Sequence, residues 1–260
     1  MKVCCFKIFH FNDLTLKSLM RMILTEKNIL RVLGFSIAMA FLETAVVVYL
    51  RTIYYPGGFE FPLVPVTGIH GITELLREAA TLIMLLMVSV LAANKFTGRF
   101  AYFLFSFAIW DIFYYVFLKI LLGWPENFMT WDILFLLPVP WFGPVVAPLI
   151  NSLSMIMLAM VILLPPAKKN PLPLFPGEWT LLITGSLIVI LSYTTGYAQY
   201  MLEKFTVKNL LTFSEPQAIL EHSSLFIPRE FPWWIFWIGQ GVILLGIILY
   251  VVRIRKLRHL

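Results

Sequence analysis

The sequence predicts an all-α fold, a polytopic six-helix transmembrane bundle with a proline-broken fourth span. Three observations carry that expectation. Hydrophobic residues make up 60% of the chain and charged residues only 13%, against roughly half and a quarter in soluble domains. Six apolar runs recur along the chain, each close to the roughly 20 residues that cross a hydrocarbon core. Basic segments alternate with basic-poor loops between those runs.

The runs fall near residues 31–50, 71–93, 100–122, 131–164, 179–202 and 233–252. They imply one transmembrane domain over 31–252, with an N-terminal segment at 1–30, a long extracytoplasmic loop at 203–232 and a basic tail at 253–260. In the N-terminal segment Leu16, Leu19, Met20, Ile23 and Leu24 recur near one side of a helix, partly segregated from Lys17, Arg21 and Lys27. That pattern suits an interfacial helix on the membrane surface. Its charges interrupt any apolar core of the kind a cleaved signal needs. Cys4 and Cys5 are the only cysteines, and they imply no structural disulfide.

Basic residues set the expected orientation. The N-terminal segment, the turn with Lys95 and Arg99, the connection with Lys168 and Lys169, and the tail with Arg253, Arg255, Lys256 and Arg258 fall on one side. Arg51, Lys204, Lys208 and Arg229 fall on the other. Placing the richer side inward makes both termini cytoplasmic in a multi-pass protein of the cell membrane. The net charge of +6 then belongs to topology and to anionic headgroups rather than to nucleic acid. Membrane lipids are the expected partners.

The fourth run carries Pro138, Pro140, Pro144 and Pro148. Each removes a backbone donor and clashes with a preceding carbonyl, so an uninterrupted helix is not expected. The segment reads as a short outer helix or re-entrant stretch up to Leu137, a break over 138–144, and a regular span from about 148 to 164. Backbone groups freed at membrane depth must be buried in protein or line a cavity. In the long loop, Ser214-Glu215-Pro216-Gln217 reads as a helix start with Ser214 as N-cap. A short helix through Glu221 would cap the bundle as a lid, with Glu221 and His222 as contributors.

Glu43, Arg77, Glu78, Asp111, Lys119 and Asp132 lie in or beside the apolar runs, mostly in the half facing away from the cytoplasm. Ionisable groups at that depth are costly unless paired or hydrated, so they face a bundle interior or a water-filled cavity. Glu43, Glu78 and Asp111 are the candidate catalytic groups. Candidate substrate-binding residues are Arg77, Tyr114, Tyr115, Lys119, Asp132, Tyr193, Tyr197 and Gln240. The four acids Glu43, Glu78, Asp111 and Asp132 against Arg77 and Lys119 leave a formal charge of −2. Such an excess calls for a bound cation or a protonated carboxyl.

A carboxylic acid kept neutral beside an ionised partner is what acid–base chemistry requires. Converging Glu43, Glu78 and Asp111 would equally suit a hard divalent cation such as Mg or Mn. Zinc-type spacings (HExxH, CxxC) are absent from the sequence. Three functions follow. One is an enzyme acting on a lipid or isoprenoid-like amphiphile, with Arg77 and Lys119 as anchors for an anionic group. Another is an ion-coupled transporter built on the broken fourth helix. The last is a non-catalytic receptor or assembly subunit, whose ion pairs would close on themselves and leave no cavity.

Overall fold

The computed structural model describes residues 27–66, 68–164, 172–212 and 214–258. In chain order the elements are α1 (Lys27–Tyr54), α2 (Gly68–Ala92), α3 (Phe96–Leu122), β1 (Trp131–Phe135), β2 (Trp141–Pro144), α4 (Val146–Leu163), α5 (Pro176–Lys204), the short α6 (Val207–Thr212) and α7 (Pro216–Ser224), and α8 (Trp233–Arg258). Six of these, α1 to α5 and α8, are long and apolar enough to cross a membrane. The protein is therefore a multi-pass integral membrane protein. The expected interfacial helix before Lys27 and the Lys168–Lys169 connection lie outside the described residues.

Six crossings bring the start of α1 and the end of α8 to one face of the bundle, here the tail face. The opposite loop face carries 55–66, 123–130, α6 and α7. Helix α2 buries one stripe, Glu74, Glu78, Thr81, Leu85 and Ser89, at the spacing that keeps residues on one side of a helix. Its other sides leave Ile72, Leu76, Ile83 and Leu91 exposed, as a lipid-facing helix should. Small hydroxyls join the first three helices. Thr44 Oγ1 donates to the Ala40 and Tyr114 carbonyls at 2.8 and 3.3 Å, and the Ser89 and Ser106 hydroxyls meet at 3.4 Å.

Helices α5 and α8 form the closest pair. Gly185 and Gly239 face each other, and a Cβ on either would sit 2.9 Å from the other's carbonyl oxygen. Small residues let transmembrane backbones approach where no hydrophobic force draws helices together. The same pair is tied at the tail face. Arg253 donates from Nε and Nη2 to the two carboxylate oxygens of Glu178, both at 2.8 Å, and its guanidinium lies 3.8 Å from the Phe175 ring centroid. Glu178 also accepts the Phe175 N–H at 2.7 Å, satisfying a donor at the start of α5. Ala101, Leu158, Ile162, Leu182, Ile247 and Tyr250 fill the core between α3, α4, α5 and α8.

The fourth run departs from the expected broken helix. Its outer part is an antiparallel β-hairpin, and α4 is continuous from Val146 to Leu163. The register pairs Trp131 with Pro144, Asp132 with Gly143, Ile133 with Phe142 and Phe135 with Trp141, with an irregularity between Ile133 and Phe135. Pro138 and Pro140 occupy the connecting turn and Pro144 the end of β2, where missing N–H groups disturb the pairing least. The stretch up to Leu137, expected as a short outer helix or re-entrant segment, is strand β1 and the start of its turn. Phe135 stacks on Phe107 at 5.9 Å and meets Trp110 at 6.2 Å, so the hairpin reaches deep among the helices.

The loop helix also differs in detail. α7 begins at Pro216 with Glu215 rather than Ser214 at the N-cap, and no side chain caps it. Ser214 instead donates its hydroxyl to the Asn209 carbonyl at 3.5 Å. Pro216 does stand in the first turn, where its fixed φ suits a helix start.

Candidate functional site

A cavity of about 410 Å³ opens among α1, α2, α3, the hairpin and the segment 55–66. Its charged lining comprises Glu43, Glu74, Glu78, Asp111 and Asp132 with Arg51 and Arg77. Glu43 stands 11 residues before the end of α1, Asp111 stands 11 before the end of α3, and Glu78 is 10 after the start of α2. At 1.5 Å per residue all three lie about 15–17 Å below the loop-face helix ends. Arg51, three residues before the end of α1, lies nearer the mouth. Val47, Leu75, Leu134, Phe135 and Phe142 supply apolar walls.

Two of the deep carboxylates are held by protein donors. Arg77 joins Glu43 of α1 in a short ion pair and donates from Nε to Glu74 at 2.9 Å. The second oxygen of Glu43 accepts the Thr81 hydroxyl at 3.0 Å. Arg77 thus staples α1 to α2. Glu78 accepts the N–H groups of Leu136 and Leu137 at 2.8 and 3.1 Å. Those donors stand in the hairpin turn just before Pro138, and an unmet backbone donor there would be costly.

Asp111 is less committed. It takes one side-chain hydrogen bond, from the Ser152 hydroxyl of α4 at 2.7 Å. It also lines a separate cavity of about 240 Å³ among α3, α4, α5 and α8. A polar chain continues there. Asn151 donates to the Tyr193 hydroxyl at 2.6 Å, Gln240 donates to Asn151 in a short contact, and Ser154 donates to Gln240 at 3.0 Å.

Near the mouth, Asp132 accepts from Arg51 Nη2 at 3.4 Å and from the Tyr115 hydroxyl at 3.1 Å. Burial pushes its carboxyl up to about 6, against the opposing pull of Arg51. The Arg51 guanidinium lies 3.8 Å from the Trp124 ring centroid and 4.4 Å from that of Phe59. Its Nη1 is buried and has no hydrogen-bond partner among the described residues.

The structure therefore gathers Glu43, Arg77, Glu78, Asp111, Tyr114, Tyr115 and Asp132 around one cavity. Tyr193 and Gln240 border the smaller cavity, while Tyr197 belongs to a third of about 420 Å³ against residues 225–232. The Tyr197 hydroxyl meets that of Ser223 in α7 at 2.7 Å. Lys119 lines none of the three. Its Nζ donates to the Gly123 and Pro125 carbonyls, both at 2.8 Å, closing the end of α3 where Gly123 turns at φ +67°. Among the described residues no group of three His, Cys, Asp or Glu side chains could hold a metal ion. Glu43, Glu78 and Asp111 share a cavity without forming a ligand set for Mg or Mn.

Sequence reasoning missed Arg51 and the pair Asn151–Ser152. Arg51 ends an apolar run and so resembles an interfacial charge; its role emerges only when the hairpin brings Asp132 beside it. The sequence spacing puts Glu74 on one helix face with His70 and Glu78, and the structure adds its pairing with Arg77 three residues on. Asn151, Ser152 and Ser154 are the polar residues of an otherwise apolar α4. The lid residues also shift: Leu220, Ser223 and Ser224 of α7 line the main cavity, whereas His222 stacks on Tyr200 at 4.3 Å.

Comparison of the chain with protein-family models, with curated proteins and with solved structures finds no match.

Proposed function

We propose that this membrane protein binds an amphiphile in the cavity of α1, α2, α3 and the hairpin and carries out acid–base chemistry on it, with Asp111 exchanging the proton. One observation carries the reading. Apolar walls and a charged lining share a space of about 410 Å³, a size and character suited to a molecule with a polar head and a greasy body. At its deep end stands a carboxyl with a single side-chain partner, whereas Glu43 and Glu78 are occupied in holding α1 and the hairpin. Residues with spare hydrogen-bonding capacity are those able to meet a substrate.

The transporter reading rests on a helix broken over 138–144, and the residues on both sides of that break pair as a β-hairpin instead. The assembly-subunit reading is supported by Arg77, whose ion pairs do close between α1 and α2. It does not account for the remaining cavity. The same proposal places the loop face outside and both termini in the cytoplasm of the cell. Among described basic side chains, Arg51 and Lys119 are engaged within the loop face, which leaves Lys204, Lys208 and Arg229 there. Lys27, Arg31, Lys95, Arg99, Arg253, Arg255 and Lys256 gather at the tail face, the distribution of a cytoplasmic side.

The test is lipid extraction and mass analysis of the purified protein, followed by incubation with whatever amphiphile is found. Wild type should retain a reproducible amphiphile, and Val47→Trp, which fills the cavity, should lose it. Wild type should convert the ligand, whereas Asp111→Asn should bind it without conversion. Failure of any amphiphile to bind would overturn the reading. Binding without conversion by wild type would remove the chemistry and leave a binding protein.

A further inference from the structure

We infer that the amphiphile carries an oxyanion headgroup, a carboxylate or phosphate, and that Arg51 is the residue that reads it. This rests on the amphiphile reading above and narrows it to a charge class. Two cations line the main cavity, Arg51 and Arg77. Arg77 is spent: Nε and Nη2 reach Glu74, and Nη1 reaches Glu43. Arg51 is not.

A guanidinium offers five N–H donors and no acceptor. Among the described residues the one hydrogen bond of Arg51 runs from Nη2 to Asp132 at 3.4 Å, longer than the roughly 2.7–2.9 Å of a strong charge-assisted pair. Its Nη1 is buried with no partner among the described residues. A buried donor left unmatched is costly, and arginine is the side chain best shaped to satisfy itself on a planar or tetrahedral oxyanion. The Trp124 and Phe59 rings, with centroids 3.8 and 4.4 Å from Cζ, stand at 84° to each other and pack against the guanidinium from two directions. An oxyanion would meet the N–H groups that the rings leave open, as a carboxylate or phosphate can.

The surroundings add the second half of the specificity. Val47 lies one turn of α1 deeper than Arg51, and with Leu75 and Leu134 it continues the cavity wall. An oxyanion at Arg51 would leave a hydrocarbon tail among those side chains. Asp132 is the resident competitor for the same guanidinium. Removing its charge should therefore strengthen anion binding, an effect that a purely structural Arg51–Asp132 pair would not produce.

The test uses the full-length protein in detergent and displacement of a fluorescent long-chain fatty acid. Unlabelled fatty acid and lysophosphatidic acid should displace it about tenfold or more better than the fatty acid methyl ester. Inorganic phosphate alone should not compete over the same range. Arg51→Lys, which keeps the charge but loses the stacked fork, should weaken the acid about tenfold and leave the ester unchanged. Asp132→Asn should tighten the acid several-fold. Equal displacement by acid and ester would overturn the headgroup assignment while the amphiphile reading stands. An unaltered acid affinity in both variants would remove Arg51 from the site. Inorganic phosphate as potent as the lipids would assign the site to a soluble anion and overturn the inference. Failure of every amphiphile to bind would sink it together with the reading beneath it.

Discussion

A methyl group on Gly185 of α5 would lie 2.9 Å from the Gly239 carbonyl oxygen in α8, and one on Gly239 would lie 2.9 Å from that of Gly185. Both contacts are with backbone, which cannot swing aside as a side chain can. Gly185→Ala and Gly239→Ala should therefore each cost about 1–3 kcal/mol by forcing the helices apart. Gly241→Ala, on α8 but with nothing within 4 Å of its added Cβ, is the matched control. Thermal melts in detergent read the difference. Equal stability of Gly239→Ala and Gly241→Ala would refute the close approach.

The hairpin turn depends on α2. Glu78→Ala would leave the Leu136 and Leu137 N–H groups without their acceptor, at about 1–3 kcal/mol for each buried donor. Glu78→Gln keeps one acceptor oxygen and should cost roughly half as much. Melting temperature, together with protease cleavage within 131–144, measures both. Cleavage no faster in the alanine variant than in wild type would mean that the turn holds itself.

Asp132 supplies a pH dependence. Its carboxyl sits at about 6 in the folded protein against an ordinary 3.8, so the folded state binds that proton more tightly than the unfolded state. Linkage makes its contribution to stability largest below about pH 4 and has it fall as pH rises through about 6. The stability difference between wild type and Asp132→Asn should shift against wild type across that window. A difference that is flat, or that moves in favour of wild type with rising pH, would reverse the sign assigned to the burial of Asp132.

The six crossings are legible in the sequence because hydrocarbon imposes one length and one composition on all of them, and the alternating basic segments count them again. The hairpin is harder to read. Prolines announce that no helix continues, but Ile133, Phe135, Trp141 and Phe142 are partly or fully buried against neighbouring elements. The apolar–polar alternation that marks a half-exposed strand is therefore missing. Acids at depth are equally visible as a class. Which of them holds the scaffold and which is spare depends on donors from other helices, such as Thr81 and Ser152, whose types say nothing about where they point. Lys119 and Arg51 exchange their expected roles for that reason: the nearer cation closes a helix end, and the apparent boundary charge faces the cavity.

The bond between Glu78 and the hairpin turn also has a direction in time. Residue 78 is synthesised long before residues 136 and 137, as are Arg51 and Tyr115 before Asp132. A chain inserted from its N-terminus has α1, α2 and α3 in place when the hairpin arrives. The partners that hold the hairpin, Arg51 on α1, Glu78 on α2 and Tyr115 on α3, thus all precede it along the chain.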